Sequence, residues 1–176
     1  YSGSINYQFA TYYIRDAQGN IMATYVKWAD SLLVLKELAI YGSSRLGMYN
    51  ANDTVWMVGG TGGGPSLDNT LIFTNKKQYE ITNHLGNVMV TISDAKDWDG
   101  GGGYYKPQVL THNEYYAFGI LMPGRSALPH DYRFGFNGKE NDNELKGEGN
   151  SVDFGDRIND VRLGRFLSID PLSNLY

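Results

Sequence analysis

Apolar and polar residues alternate along several stretches of this chain, and glycine-containing breaks separate them. The clearest alternation has two faces: Val88, Val90 and Ile92 on one, and Met89, Thr91 and Ser93 on the other. A period of two is typical of a half-buried β-strand. The pattern therefore predicts strands joined by tight turns.

Two of the breaks repeat one pattern: an Asp or Asn, a glycine three positions later, and then asparagine, a β-branched residue and methionine. The copies are Asp16-Ala17-Gln18-Gly19-Asn20-Ile21-Met22 and Asn83-His84-Leu85-Gly86-Asn87-Val88-Met89. An Asx side chain can cap a turn and glycine tolerates a positive φ, so each copy predicts a β-hairpin with equivalent left-handed glycines. Residues 115–119 make a weaker third copy, and residues 160–164 make a fourth.

The rest of the pattern predicts further strands and loops. Residues 32–41 fit a short helix by composition or a buried strand by their flanks, and the turn at residues 42–47 favours the strand. Residues 53–58 predict another short strand. Glycine runs at 59–64 and 100–103 predict flexible loops, and the polar residues 141–151 predict an exposed loop.

The composition agrees with a β-rich fold and excludes several classes of partner. Of the 176 residues, 14% are aromatic, 19% are charged and 22 are glycine, which fits short strands with tight turns in one domain. The net charge of −4 argues against nucleic acid as a partner. There is no cysteine for disulfides or zinc, and no apolar run long enough to predict membrane insertion.

Patterns for metal, phosphate or cofactor binding are weak. The three histidines, His84, His112 and His130, are widely spaced, and residues 61–66 lack the Gly-Lys-Ser/Thr of a phosphate-binding loop. The acidic residues at 97–99 and 142–144 lack the full calcium-loop pattern and are interpreted as turn residues. The sequence therefore predicts no metal site and no cofactor.

The tryptophans Trp28, Trp56 and Trp98, with the tyrosine-rich strands, admit two interpretations. Flat rings can form a sugar-stacking face, or they can pack across strands in a sheet with one buried face. We favour cross-strand packing. Near the C-terminus, the sequence also predicts a structural ion-pair network from neighbouring charges: Arg157, Arg162 and Arg165 with Asp153, Asp156 and Asp160.

A long motif ends the chain: Tyr132-Arg133-Phe134-Gly135-Phe136-Asn137-Gly138-Lys139-Glu140, a polar loop, and Asp153-Phe154-Gly155-Asp156-Arg157-Ile158-Asn159-Asp160-Val161-Arg162-Leu163-Gly164-Arg165-Phe166-Leu167-Ser168-Ile169-Asp170-Pro171. This motif closely resembles the RHS repeat-associated core of bacterial YD-repeat proteins, and the hairpin units resemble YD repeats. The family commonly has Tyr-Asp-Pro where this chain has Asn159-Asp160-Val161. The residues that carry the structural pattern are Asp16, Gly19, Asn83, Gly86, Gly138, Arg162, Gly164, Arg165, Phe166 and Pro171.

The resemblance implies an all-β fold. We expect a curled, mainly antiparallel sheet of YD-type hairpins at residues 1–130, ending in an RHS core segment at residues 131–176. In that family the core closes a β-sheet shell around a polymorphic toxin domain. The implied function is therefore structural: the C-terminal part of a shell that encapsulates and delivers an effector, secreted or at the bacterial cell surface.

We expect the shell to need more sheet than this chain supplies. Enclosing a compact cargo of about 100 residues takes about 6,000 Å² of sheet, whereas a chain of this length covers roughly 2,800 Å². The chain also begins Tyr1-Ser2-Gly3-Ser4, without an initiator methionine. We therefore expect a piece of a longer polypeptide, with the rest of that polypeptide, a partner chain, the effector or secretion machinery as its partners.

Asp170 has a role only through the resemblance. Together with Pro171 it matches the first Asp-Pro of a family motif that is linked to aspartyl self-cleavage. Such chemistry needs two carboxylates that share a proton, and the second would lie beyond Tyr176 in a longer parent. We expect Asp170 to be catalytic only there, and the alternative is a turn residue ahead of proline. A cell-surface carbohydrate-binding or adhesin module is the other alternative for the whole chain.

Overall fold

A computed structural model of the chain describes residues 9–28, 32–56, 75–126 and 132–173. Antiparallel strands dominate these residues and form two sheets, so the predicted all-β fold is confirmed. The described ranges also contain one α-helical turn, α1 (Asn143–Lys146), and a 3₁₀ turn at Phe136–Gly138. No helix in these ranges is long and apolar enough to cross a membrane.

The larger sheet has seven strands, and each pairs with the next along the chain. They are β1 (Phe9–Arg15), β2 (Ile21–Trp28), β3 (Leu33–Tyr41), β4 (Arg45–Trp56), β5 (Lys77–Thr82), β6 (Val88–Asp99) and β7 (Tyr104–His112). The smaller sheet has four short strands in the spatial order β11-β10-β9-β8. They are β8 (Glu140–Asn141), β9 (Ser151–Asp153), β10 (Ile158–Asp160) and β11 (Arg165–Phe166).

Contacts divide the chain into two compact units. The first contains Tyr1–Tyr79 and Ser93–Pro107, and the second contains Glu80–Ile92 and Gln108–Tyr176. The predicted boundary between residues 130 and 131 follows sequence motifs instead, and both residues lie outside the described ranges. That boundary stays a prediction.

The first unit has an apolar core on the sheet. Ala23 of β2, Leu35 of β3, and Tyr49 and Ala51 of β4 are buried against one another. These positions come from three neighbouring strands, as the alternation of side chains in a half-buried sheet requires. Residues 32–41, for which a helix was the alternative, form β3, so the strand prediction is confirmed.

The second unit combines buried apolar and buried polar side chains. Its buried apolar residues are Val88, Tyr132, Phe134, Val152 and Val161. Its buried polar residues include Asn87, Thr91, Thr111, Asn113, Ser151, Asn159 and Asp160. The hydroxyl groups of Thr91 and Thr111 share a 2.8 Å hydrogen bond, so this core depends on polar pairing as well as on apolar contact.

The predicted faces of β6 are wrong in part. Val88 is buried, but the next buried residues are Thr91 and Ser93, which belong to the other predicted face. The buried positions change from even to odd along the strand. Hydroxyl hydrogen bonds explain why the polar positions can be buried: Ser93 Oγ lies 3.0 Å from Asn75 Oδ1, and Thr91 pairs with Thr111.

Two strand and turn predictions also need correction, whereas residues 100–103 connect two strands, as the predicted loop requires. Residues 53–56 are the end of β4 rather than a separate strand, and residues 57 and 58 lie outside the described ranges. The predicted turn at 42–47 is confined to 42–44, because β4 begins at Arg45. Residues 59–64 are outside the described ranges, whereas 100–103 form the tight turn between β6 and β7.

Residues 141–151 are not simply an exposed loop. They contain α1, and Ser151 at their end is fully buried in β9. Side-chain to backbone hydrogen bonds fold the segment: Asn143 Oδ1 accepts from the Gly149 amide (2.9 Å), and Asn150 Nδ2 donates to the Lys146 carbonyl (3.0 Å). Polar composition therefore concealed local structure that Asx side chains stabilise.

Candidate functional site

The first predicted repeat closes the β1–β2 hairpin through a three-residue loop. The Asp16 amide donates to the Asn20 carbonyl (2.9 Å), and the Gly19 amide donates to the Asp16 carbonyl (3.1 Å). Asp16 Oδ1 accepts from the amides of Gln18 (2.9 Å) and Asn20 (2.8 Å). The Asn20 side chain also donates to Asp16 Oδ2 (2.8 Å), and this bond makes the largest contribution to lowering the pKa of the Asp16 carboxyl. The carboxylate thus caps amides that the turn leaves unpaired.

The second repeat closes the β5–β6 hairpin with the same four hydrogen bonds. The Asn83 amide donates to the Asn87 carbonyl and the Gly86 amide to the Asn83 carbonyl, each at 3.0 Å. Asn83 Oδ1 accepts from the amides of Leu85 and Asn87, also at 3.0 Å. The φ angles of Gly86 (80°) and Gly19 (88°) are both left-handed, so their predicted equivalence is confirmed.

The weaker third repeat forms the same backbone loop without a capping side chain. The Tyr116 amide donates to the Ile120 carbonyl (2.8 Å), and the Gly119 amide donates to the Tyr116 carbonyl (2.9 Å). Gly119 has φ 94°. The glycine and its backbone bond are therefore the shared part of the repeat, and the Asx cap is an addition.

A loop of the same kind, which we did not predict as a repeat, lies in the end motif. The Gly135 amide donates to the Lys139 carbonyl (2.9 Å), and the Gly138 amide donates to the Gly135 carbonyl (3.1 Å). Both Asn137 (φ 52°) and Gly138 (φ 64°) are left-handed. Adjacent Asn and Gly are a known turn signal, so the sequence did contain the information.

The fourth predicted repeat is a longer turn. Asp160 pairs with Arg165 across the β10–β11 hairpin, which leaves residues 161–164 as the loop. The amides of Leu163 (3.2 Å) and Gly164 (2.8 Å) both donate to the Asp160 carbonyl, and Gly164 has φ 63°. The turn is confirmed, with one residue more than the other loops.

In the second unit, aromatic rings of these loops cover glycines of neighbouring loops. A Cβ atom on Gly119 would lie 2.6 Å from the ring of Phe136, and a Cβ atom on Gly164 would lie 2.8 Å from the ring of Phe118. Only glycine leaves space for such a close approach. Gly119 and Gly164 therefore serve packing between loops as well as the turns themselves.

The β5–β6 loop joins the same arrangement through Asn87. This residue is 5% exposed, and its Oδ1 accepts from the Asn137 amide (2.8 Å). The Val88 amide next to it donates to the Gly135 carbonyl (3.0 Å). Loops 83–87, 135–139, 116–120 and 160–164 thus contact one another in that order, and we call this arrangement the loop row.

Tyr115 lies beside the loop row. Its hydroxyl donates to the Val88 carbonyl (2.9 Å) and is close to Gly135, where an added Cβ would be 3.2 Å from it. Burial raises the pKa of Tyr115 to about 12. The neutral phenol is therefore the form that the packed loops favour.

Asp160 is a fully buried carboxylate at the end of the loop row. It receives Nε (3.1 Å) and Nη2 (2.9 Å) of Arg162 and Nζ of Lys146 (2.7 Å). The hydrogen bonds from Arg162, and then those from Lys146, hold the pKa of Asp160 well below its usual range. A buried charge needs such partners. The predicted Arg162–Asp160 pair is confirmed, and Lys146 of α1 is a partner that we missed.

Asp170 caps a turn at the C-terminal end of the described chain. Its Oδ1 accepts from the Leu172 amide (2.9 Å), and its carbonyl accepts from the Ser173 amide (3.0 Å), with Pro171 inside the turn. This is the turn role that we gave as the alternative. The catalytic role in a longer parent stays a prediction.

The second partner of Asp170 corrects the predicted ion-pair network. Arg157, which we grouped with Asp153, Asp156 and Asp160, places its Nη1 3.0 Å from Asp170 Oδ2. The cause lies in the backbone: the Leu167 amide donates to the Ile158 carbonyl (2.9 Å), which brings the following residues towards Arg157.

The two remaining motif residues of this region lie in β11. Phe166 packs its ring edge-to-face on Phe154, with centroids 5.4 Å apart and an interplanar angle of 86°. Arg165 pairs through the backbone with Asp160, and its side chain is exposed. Phe166 is therefore a packing residue, whereas Arg165 is at the surface.

Trp28 and Trp98 pack against aromatic residues of neighbouring strands, which is the interpretation that we favoured. Trp28 of β2 lies opposite Phe9 of β1, with ring centroids 5.6 Å apart. Trp98 of β6 meets Tyr105 of β7 edge-on at 5.0 Å. All four rings remain exposed. The side chain of Trp56 lies outside the described part of the structure.

The weak metal and phosphate candidates can be placed only in part. Among the described residues, no three His, Asp or Glu side chains are grouped to hold a metal ion. His84 and His112 are exposed, and Asp99 caps the turn at residues 100–103 through the Gly101 amide (3.1 Å). His130 and residues 61–66 lie outside the described ranges.

Comparison of the chain with models of protein families finds no match, and comparison with curated proteins finds none either.

Proposed function

We propose that this chain is a structural segment of a larger β-sheet shell of the RHS/YD-repeat kind, which encapsulates and delivers an effector domain. The observation that carries this proposal is the repeated hairpin loop. The loops at 16–20 and 83–87 use the same four hydrogen bonds although Asp16 and Asn83 lie 67 positions apart in the sequence. In repeat proteins, similar supersecondary units pack on their neighbours and so build an extended structure.

The exposure of β1 supports a place in a larger assembly. This strand stands at one end of the seven-strand order, and Phe9, Tyr12 and Ile14 are each about half exposed. Tyr12 and Ile14 point to one face of the strand and Phe9 to the other, because side chains alternate. Large apolar side chains on an end strand are typical of a surface where further strands or another protein pack.

The oligomeric state of the isolated chain tests the proposal. We expect size-exclusion chromatography with light scattering to show oligomers or aggregates. In the isolated chain, the sheet edge that would pair with other strands of a shell can pair with a second molecule. The matched variant Tyr12→Lys/Ile14→Lys should shift the chain towards monomer, because charged residues discourage strand pairing. A stable wild-type monomer across the tested concentrations would contradict the proposal.

Carbohydrate binding at a cell surface is a second candidate because the β6–β7 hairpin presents exposed rings. Trp98 and Tyr105 contact each other and both remain more than half exposed. We expect any glycan-array signal of the chain to fall in Trp98→Ala and to persist in Trp28→Ala, whose ring packs on Phe9 at the other hairpin. Absence of any glycan signal in the wild type would remove this candidate.

Participation in aspartyl self-cleavage is a further proposal for a longer parent protein. Asp170 supplies one carboxylate in a fixed turn. The chemistry requires a second carboxylate close enough to share its proton, and in the family that the end motif resembles this residue belongs to a second Asp-Pro motif further along the chain.

A further inference from the structure

Arg157 contacts the C-terminal segment in two ways. Its guanidinium carbon lies 4.0 Å from the centroid of the Phe166 ring, and its Nη1 lies 3.0 Å from Asp170 Oδ2. From this geometry we infer that Arg157 is a positioning residue that fastens the Asp170–Pro171 turn to the four-stranded sheet.

The Phe166 ring that Arg157 contacts is itself held in place. Phe166 is held from one side by the edge-to-face contact with Phe154 and by its backbone pairing with Asn159 in β10. A planar guanidinium can stack on such a ring and still direct a nitrogen at a carboxylate. A lysine ammonium at the same position would keep the charge and lose the stacked plane.

Apolar burial does not hold the segment in place. Ile169 is 82% exposed and Leu172 is 52% exposed. Upstream, the Leu167 amide donates to the Ile158 carbonyl (2.9 Å). Beyond that bond, the ion pair between Arg157 and Asp170 connects the turn to the sheet within the described part of the chain.

The two oxygens of Asp170 have different partners, which gives the carboxylate one orientation. Oδ2 faces Arg157, and Oδ1 accepts from the Leu172 amide within the turn. Arg157 and the Leu172 amide therefore fix the direction of the side chain together. If Asp170 takes part in cleavage in a longer parent, which rests on the proposed function, Arg157 would aim the carboxylate that does so.

Amide hydrogen exchange of the full chain tests this role. The readout is the exchange rate of the Leu172 and Ser173 amides, which donate to Asp170. In Arg157→Lys we expect both amides to exchange about fivefold faster, since the stacking is lost and the remaining exposed pair contributes little. Phe166→Leu, which removes the ring and keeps an apolar side chain, should change the rates in the same direction.

A matched arginine elsewhere provides the control. Arg125 forms a surface ion pair with Glu114 (2.7 Å), so Arg125→Lys removes a guanidinium without touching the C-terminal segment. Its Leu172 and Ser173 rates should equal those of the wild type. The exchange rate of the Asn159 amide reports whether Phe166→Leu disturbs the sheet. If that rate rises, the result for Phe166→Leu is set aside and the Arg157→Lys variant alone tests the inference.

Unchanged Leu172 and Ser173 rates in Arg157→Lys would overturn the inference. That result is distinguishable from failure of the shell proposal. A monomeric wild-type chain would contradict the shell and leave the exchange measurement valid, whereas unchanged exchange would contradict only the role of Arg157.

Discussion

The hairpin loops at residues 16–20 and 83–87 are the same structure in two different surroundings. Both use an Asx oxygen that accepts two amides, and both close on a left-handed glycine. Around Gly19, however, an added Cβ would meet nothing within 4 Å, whereas Gly86 lies beside the backbone of Asn137. The first loop is exposed at the end of a hairpin, and the second belongs to the loop row.

The comparison separates what local sequence determines from what packing determines. The Asx residue and the glycine are sufficient to set the hydrogen bonds of the loop, because all four partners lie within five consecutive residues. They do not decide whether the loop is exposed or packed. Equivalent substitutions in the two loops should therefore change the free energy of unfolding by different amounts, and the difference should be the contribution of packing.

The largest expected difference is between Gly119→Ala and Gly19→Ala. The φ angles are similar, 94° and 88°, so the backbone strain should be similar, about 1 kcal/mol. At Gly119 the new methyl group would also meet the Phe136 ring at 2.6 Å, which should raise the loss in unfolding free energy to about 2–4 kcal/mol. Denaturant unfolding of the two variants measures both values.

A third variant controls for the ring itself. In Phe136→Leu/Gly119→Ala the clash is relieved, so the double variant should lose less stability than the sum of its single substitutions. Equal losses for Gly119→Ala and Gly19→Ala would show that the ring does not pack on the glycine as described.

An intermediate difference is expected between Asn87→Ala and Asn20→Ala. The two asparagines hold the same loop position, but Asn87 is buried and its Oδ1 accepts from the Asn137 amide at 2.8 Å. Its removal should lower the unfolding free energy by about 1–2 kcal/mol, because the amide loses its partner. Asn20 is exposed, and its removal should change stability by less than about 0.5 kcal/mol.

Thermal unfolding of both alanine variants provides the measurement, with Asn87→Asp as a control. Aspartate keeps an oxygen that can accept from Asn137, so it should recover part of the loss. Equal melting points for the Asn87→Ala and Asn20→Ala variants would contradict the contact between the loops.

Much of the fold could be predicted because it depends on short-range signals. The strands around the two repeats, strand β3 and the left-handed Gly19 and Gly86 all follow from alternation and turn chemistry within a few residues. The bond between Asp160 and Arg162 was predictable for the same reason, since two positions separate them.

The errors arise where distant residues meet. Thr91 is buried because Thr111 supplies a hydroxyl partner from another strand, and alternation alone cannot reveal that partner. Lys146 reaches Asp160 from α1, and Arg157 reaches Asp170 past β11. The loop row likewise depends on Phe136 and Phe118 lying over glycines of other loops, which no local pattern indicates.

The smallest expected effect concerns the capping position of the two matched loops, which is a carboxylate at Asp16 and an amide at Asn83. The pKa of Asp16 is lowered in the folded chain, so its contribution to stability is present above the ordinary value of 3.8 and is lost as the pH falls through the lowered pKa. Asn83 does not titrate and makes the same two bonds to backbone amides. Asp16→Asn should therefore leave the melting point at neutral pH nearly unchanged and remove the acid dependence of this loop.

The NMR chemical shifts of the Gln18 and Asn20 amides measure this acid dependence. In the wild type they should move as the pH falls below 3.8, and in Asp16→Asn they should stay constant. The shifts of the Leu85 and Asn87 amides should stay constant over the same pH range in both proteins. If the Gln18 and Asn20 shifts still moved in the variant as they do in the wild type, another group would be titrating, and the carboxylate would not be the difference between the two loops.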